Sequence, residues 1–206
     1  TSVTGRMAAP TTPLHIVASP SASLTAAAEQ EAPLEAAVAK ALERCGDERP
    51  AVRKAALQAV EAWAKLDDGA SPSLESSELA SVCVRCTDKS SLVRKQAART
   101  LSALYGAAPH LTDLRGAWID SVLPLVRDSE ASVADAALEA VDAFALTPLA
   151  DCGSDPDAAL GEPLWLLLQQ MGASSQPHIE AAIASLERQG KLPRLLGKSA
   201  QQLLSL

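Results

Sequence analysis

Residues 47–56 read DERPAVRKAA, residues 88–97 read DKSSLVRKQA, and residues 128–137 read DSEASVADAA. The three decapeptides start 41 and then 40 residues apart. A period of this length marks stacked helical hairpins, because one hairpin cannot bury its apolar face alone and its neighbours complete the core. Upstream of each decapeptide the aligned columns are Val38/Leu79/Ile119, Ala41/Val82/Val122, Leu42/Cys83/Leu123 and Cys45/Cys86/Val126. They step by three and four residues, which is the spacing of one buried helix face.

Downstream, the columns Val52/Val93/Val133, Ala56/Ala97/Ala137, Leu57/Ala98/Leu138, Val60/Leu101/Val141 and Trp63/Leu104/Phe144 step the same way. Each unit therefore predicts a pair of amphipathic helices, A and B. Alanine at 56, 97 and 137 predicts close helix–helix approach. The fold class that follows is all-α, a HEAT/armadillo-type α-solenoid of stacked antiparallel helix hairpins.

The residues between the helices fit this reading. Gly46 is suited to end the first A helix in a left-handed conformation, and Pro50 suits the first turn of the first B helix. Ser91 is a candidate cap for the second B helix. Asp47, Asp88 and Asp128 share one turn position, where a carboxylate complements the positive end of helix B.

Composition agrees and narrows the function. The chain has 206 residues, 48% hydrophobic and 21% charged, enough for a solenoid segment with a continuous core. Aromatic residues make up only 2%, against a β-rich fold. The net charge of −7 disfavours a generally basic nucleic-acid binder, so any such contact has to be local. Four cysteines do not make a disulfide framework in a chain this long. Cys83 and Cys86 form a C-x-x-C with no second pair, and Cys45 shares the core column of Cys86, so the thiols read as buried core groups in a reducing compartment. No run of about 18 apolar residues predicts a membrane span. Prolines at 10, 13 and 20 break the N-terminal apolar runs, which makes a poor signal peptide. The chain opens on Thr1 and ends at Leu206 within an apolar helical pattern, as a piece of something longer would.

Residues 1–30 are rich in Ser, Thr, Ala and Pro and read as a disordered low-complexity segment. Three repeats are expected within 31–147, at about 31–66, 76–106 and 113–146, with A helices at about 32–45, 76–86 and 113–127. The B helices fall at about 51–66, 91–106 and 131–146. A loop is expected at 148–161, then a degenerate helical hairpin within 162–206, with helices near 162–171 and 175–189 and the start of a further one near 193–205.

Phosphate-binding, dinucleotide-binding and nucleophile-elbow motifs are all missing. None of the three histidines precedes a glutamate, as the iron-binding His-Glu pairs of HEAT-type metalloenzymes would require. No catalytic, cofactor-binding or metal-binding residue is assigned, and no cofactor or small-molecule substrate is expected. The pattern that carries a candidate function is basic. Arg53-Lys54 and Arg94-Lys95 occupy equivalent places in the first turns of two B helices, and in the third repeat they become Ala134 and Asp135. A cation in a first helical turn is disfavoured by about 0.3–1 kcal/mol unless an anion compensates. Asp47, Asp88 and Asp128 supply that anion internally as an inter-repeat ladder, the favoured reading for Arg53 and Arg94. The alternative anion is a DNA phosphate held by a basic stripe over the first two repeats, and for Lys54 and Lys95 the two readings stay open.

Three consecutive stretches carry a family resemblance: ERCGDERPAVRKAALQAV at 43–60, CTDKSSLVRKQAARTL at 86–101 and AWIDSVLPLVRDSEASVADAALEAVDAF at 117–144. Their order, with Trp118, Pro124 and Glu130 in place, resembles the HEAT-repeat D-type non-SMC subunits of condensin II over about 34–146. Ala98 departs from it, standing where that family tends to have leucine. The resemblance implies a non-catalytic scaffold of the nucleus and mitotic chromosome, acting in chromosome condensation. It also implies a kleisin partner, through kleisin the SMC ATPase pair, and contact with chromatin or DNA. The competing expectations are another HEAT adaptor, such as a transport receptor or phosphatase scaffold, and more distantly a HEAT-repeat metalloenzyme or lyase.

Overall fold

The computed structural model describes residues 34–66, 74–151 and 162–192. The disordered segment expected at 1–30 and the helix expected near 193–205 lie outside the described residues, as does most of the loop expected at 148–161. The chain divides into Thr1–Ala36 and Ala37–Leu206. Of the first unit, residues 34–36 are described, and they form the opening turn of a helix.

Every regular element among the described residues is helical. α1 covers residues 34–44, and α2 covers Pro50–Ala64. α3, Ser76–Cys83, tightens into a 3-10 turn at Val84–Thr87 and is followed by α4, Ser91–Ala107. α5, Thr112–Ser121, tightens likewise at Leu123–Arg127 before α6, Ala131–Val141. A π turn at Asp142–Leu146 leads into α7, Thr147–Asp151. α8, Glu162–Gln170, and α9, Gln176–Arg188, complete the set. No helix among the described residues is long and apolar enough to cross a membrane.

The helices lie in layers. α2 packs on α4 and α4 on α6, while α3 packs on α5. The 3-10 turns lie against α4 and α6, which closes each hairpin. α8 lies against α5 and the π turn, and α9 against the Leu123–Arg127 turn and α6. The columns that step by three and four supply the core: Val60, Val93 and Val133 are fully buried, as are Val82, Leu101, Ala137 and Val141 or nearly so. A small residue at 56, 97 and 137 lets the layers approach closely, since no long side chain holds them apart.

Three of the five aromatic residues meet between the second and third hairpins. Ring centroids of Tyr105 and Trp118 are 5.7 Å apart, those of Tyr105 and Phe144 5.0 Å, and those of Trp118 and Phe144 5.9 Å. The last two pairs are edge-to-face, the arrangement that ring quadrupoles favour. Trp118 Nε1 donates to Ser102 Oγ at 3.1 Å, so the buried indole keeps a partner.

Three local expectations are corrected. Gly46 does not take a left-handed φ; α1 ends instead with Gly46 N donating to Glu43 O at 3.3 Å and Asp47 N to Arg44 O at 3.1 Å. Such tightened i→i+3 bonds satisfy terminal carbonyls without a glycine conformation, and the same ending recurs after α3 and α5. Ser91 is not a cap, because α4 begins at Ser91 itself and Ser90 precedes it with no side-chain capping bond. The third B helix does not stop at 146 but continues through the π turn to Asp151. Pro148 gives the reason: in a regular helix its ring would clash with the carbonyl of Phe144, and the widened turn lies at that carbonyl.

Candidate functional site

The three aspartates of the repeated decapeptide do the same local work. Asp47 Oδ1 accepts from Arg49 N, Asp88 Oδ1 from Ser90 N and Asp128 Oδ1 from Glu130 N, each at 2.9 Å. The residue two beyond each aspartate has φ between −92 and −85 and ψ between 113 and 123, so the turn is one conformation used three times. Arginine, serine and glutamate all serve there because the aspartate side chain, not theirs, fixes the backbone.

The structure then brings Arg53 to Asp88 and Arg94 to Asp128. Arg53 Nε and Nη2 each donate to Asp88 at 2.8 Å, side-on and bidentate, while Nη1 donates to Asp47 O and Glu48 O, both at 2.8 Å. Arg94 repeats the pattern: Nε and Nη2 donate to Asp128 at 2.7 and 2.8 Å, and Nη1 to Asp88 O at 3.0 Å. Each guanidinium thus closes its own turn and grips the turn of the following hairpin. Arg85 Nη1 adds a 3.3 Å contact to Asp88. Side-chain exposure is 11% for Arg53 and 3% for Asp88, so this pair is shielded from solvent.

Burial alone would push the Asp88 carboxyl up, but the hydrogen bonds from Arg53 and Ser90 N, with the charges of Arg53 and Arg85, outweigh it and hold the group below the usual carboxylate range. Hydrogen bonding from Arg94 holds Asp128 down in the same way, against its own burial. A buried ion pair stabilises only when its remaining lone pairs are filled. Asp88 meets that condition, with four donors on its two oxygens.

Lys54 and Lys95, one residue on, are half-buried and form no ion pair among the described residues. The structure therefore separates the two members of each Arg-Lys pair: the arginine is consumed inside, and the lysine keeps its charge unmatched. Ala134 and Asp135 end the series, and no guanidinium extends from α6.

Two further connections were not readable from the repeat. The Thr100 hydroxyl, fully buried, sits 3.0 Å from Leu57 O on α2 and 2.9 Å from Gln96 O on its own helix. Gln96 also donates to Glu61 across the same interface. Arg115, 6% exposed, donates to Gln170 of α8, to Pro109 O at 3.1 Å and to Thr112 Oγ1 at 3.3 Å. No repeat column contains Arg115, so periodicity gave no signal for it.

Of the described cysteines, Cys45 and Cys86 are buried in the core and Cys83 is half-buried. Burial pushes Cys45 up to about 11 and Cys86 to about 12, and also raises Cys83, so they stay protonated at neutral pH. Among the described residues no three His, Cys, Asp or Glu side chains come together as a metal site would need.

The class of molecule this defines is a stacked helical array, knitted at one edge by one buried and one half-buried arginine–aspartate pair. Over 103 residues the chain is 38% identical to condensin-2 complex subunit D3-L of Xenopus laevis, a stretch that makes up 50% of this chain and 7% of that subunit. The chain therefore spans a small part of the length of the relative it matches. No family model matches the chain, and no solved structure matches it.

Asp88→Ala should cost about 3 kcal/mol in urea unfolding, because it strands a buried guanidinium. Arg53→Ala added to Asp88→Ala should cost much less than Arg53→Ala alone. Additive losses in that double-mutant cycle would mean that the two groups do not act as a pair.

A second expectation concerns acid. Asp88 and Asp128 are depressed in the folded chain and return to about 3.9 on unfolding. The folded form then binds fewer protons, so the contribution is complete above about pH 5 and is lost as pH falls through the unfolded and then the folded values. The variant Asp88→Asn with Asp128→Asn should show a flatter fall of urea midpoint below about pH 4. An unchanged slope would assign the acid lability to other groups.

Proposed function

We propose that the chain is a HEAT-type α-solenoid segment of a condensin II-type D subunit, organised as three repeats followed by a degenerate hairpin. It acts as a non-catalytic scaffold in mitotic chromosome condensation, in the nucleus and on the chromosome. Its protein partner is the kleisin subunit, and through kleisin the SMC ATPase pair. The observation that carries the reading is the 38% identity to a condensin-2 subunit over 103 residues. That stretch is long enough to include consecutive hairpins. The repeated Arg–Asp geometry supports the solenoid part, since a rung of constant shape holds successive hairpins in one register.

The DNA contact in this proposal falls to Lys54 and Lys95. Four of the five Arg53 donors are already used inside the fold, whereas the lysines meet no anion among the described residues. Two lysines at equivalent places on neighbouring helices suit successive phosphates of one backbone, a sequence-independent and salt-sensitive contact.

Affinity purification of the longest available form of the protein with a kleisin fragment tests the assembly role: retention of kleisin is expected, and its failure overturns the reading. For the DNA contact, Lys54→Glu with Lys95→Glu should weaken duplex binding and lower its salt slope. Stability should change by no more than about 0.5 kcal/mol, since neither lysine is fully buried. Unchanged affinity and slope would remove the phosphate stripe from the proposal.

A further inference from the structure

Four positions of each repeat start in the turn and run along the outer face of the following helix. On the first hairpin they are Glu48, Ala51, Lys54 and Gln58, and on the second Lys89, Leu92, Lys95 and Arg99. On the third they are Ser129, Ser132, Asp135 and Glu139. All are exposed except the half-buried Lys54 and Lys95. The charge they carry balances at α2, is +3 at α4 and is −2 at α6. The core columns hold one chemistry throughout, whereas this face changes sign between two neighbouring helices.

The charges on the two helices are not used to hold the fold. Lys95 and Arg99 stand four residues apart, as do Asp135 and Glu139, and like charges at that spacing repel. α4 packs on α6, so the basic and acidic ridges run side by side. Among the described residues, none of these four side chains forms an ion pair.

Leu92 stands on the basic ridge, between Lys89 and Lys95, and is 60% exposed, more than any other large apolar residue described. A lone exposed leucine means little. One set among three unmatched cations offers an apolar contact that a phosphate backbone cannot use. Size separates the partners further. An α-helix about 10–12 Å across fits over two ridges about 8–10 Å apart. A DNA duplex, with grooves about 12 and 6 Å wide, cannot lie on α4 without also covering the acidic ridge.

We infer that the ridges of α4 and α6 together dock a helical protein segment with carboxylates along one edge, cations along the other and an apolar side chain between them. The carboxylates meet Lys95 and Arg99, the cations meet Asp135 and Glu139, and the apolar side chain covers Leu92. Because the ridges differ in sign, such a segment fits in one direction only. It occupies Lys95 and so competes with DNA for the stripe assigned above, although the docking face does not depend on that reading.

The probe is a synthetic alanine-based helical peptide with three glutamates along one edge, two lysines along the other and a leucine between, titrated with the full chain by fluorescence anisotropy. Lys95→Glu with Arg99→Glu should weaken binding by about tenfold or more, and Leu92→Ser by about threefold. Thermal midpoints should stay within about 3 °C of the parent, since these side chains are not core. Replacing the peptide's lysines with glutamates should weaken its binding to the parent, but not to the Asp135→Asn, Glu139→Gln variant. A peptide that does not bind, or that is indifferent to these changes, overturns the docking face. Tighter binding of the all-glutamate peptide to the parent overturns it too, by making α4 a general polyanion track. A dimer of the chain that dissociates on Lys95→Glu with Arg99→Glu gives the face to a second copy and likewise overturns it. Lys54→Glu separates the two readings: it should weaken binding of a DNA duplex and leave the peptide unaffected. If the peptide binds as expected and the duplex does not, the phosphate stripe fails and the docking face stands. Simultaneous binding of both overturns the competition at Lys95.

Discussion

A guanidinium buried between two turns has to find an anion within about 3 Å, and this requirement sets the spacing of the hairpins. Arg53 and Arg94 start from the first turn of a helix, where a cation opposes the helix dipole. Both escape that cost by reaching to the aspartate of the next hairpin, 35 and 34 residues away. The fork of the guanidinium permits little sliding, because Nε and Nη2 must meet both carboxylate oxygens at once. Apolar packing between layers is less exacting, since alanine-rich faces can slip past one another at small cost. The ion pair therefore acts as the register device, and the buried columns supply most of the stabilisation.

The array changes character at its third hairpin, where Ala134 replaces the arginine and the rung cannot be built. Packing takes over there through the triangle of Tyr105, Trp118 and Phe144 and the Arg115–Gln170 contact that fixes α8 to α5. Phe144 lies within the π turn, so the widened helix that accommodates Pro148 also holds the ring in the cluster. The two ends of the described array are thus held by different physics, charge pairing at one and aromatic burial at the other.

Burial also divides labour within the Arg-Lys pairs. Adjacent residues on a helix point about 100° apart, so a stripe that sinks the arginine leaves the lysine nearer solvent. One dipeptide therefore supplies a structural cation and an unmatched one. The net charge of −7 fits such a division, because any attraction for a polyanion must come from a few placed lysines rather than from the whole surface.

The sequence by itself determined the repeat, the helical period and the faces that become core, since these depend on spacings of three, four and about forty residues. It also marked the aspartates and arginines as a recurring set. It misjudged Gly46, Ser91 and the end of α6, where several local chemistries satisfy the same helix terminus. The single-residue outcome there depends on the neighbouring turn. Only the tertiary structure decided how deeply Arg53 and Asp88 are buried, which carbonyls share the guanidinium, and that Arg115 joins α5 to α8. Those contacts span five to fifty-five residues and exist only once the stack has set the distances between layers. Period is a local property of the chain, whereas a hydrogen bond across a stack is a property of its packing.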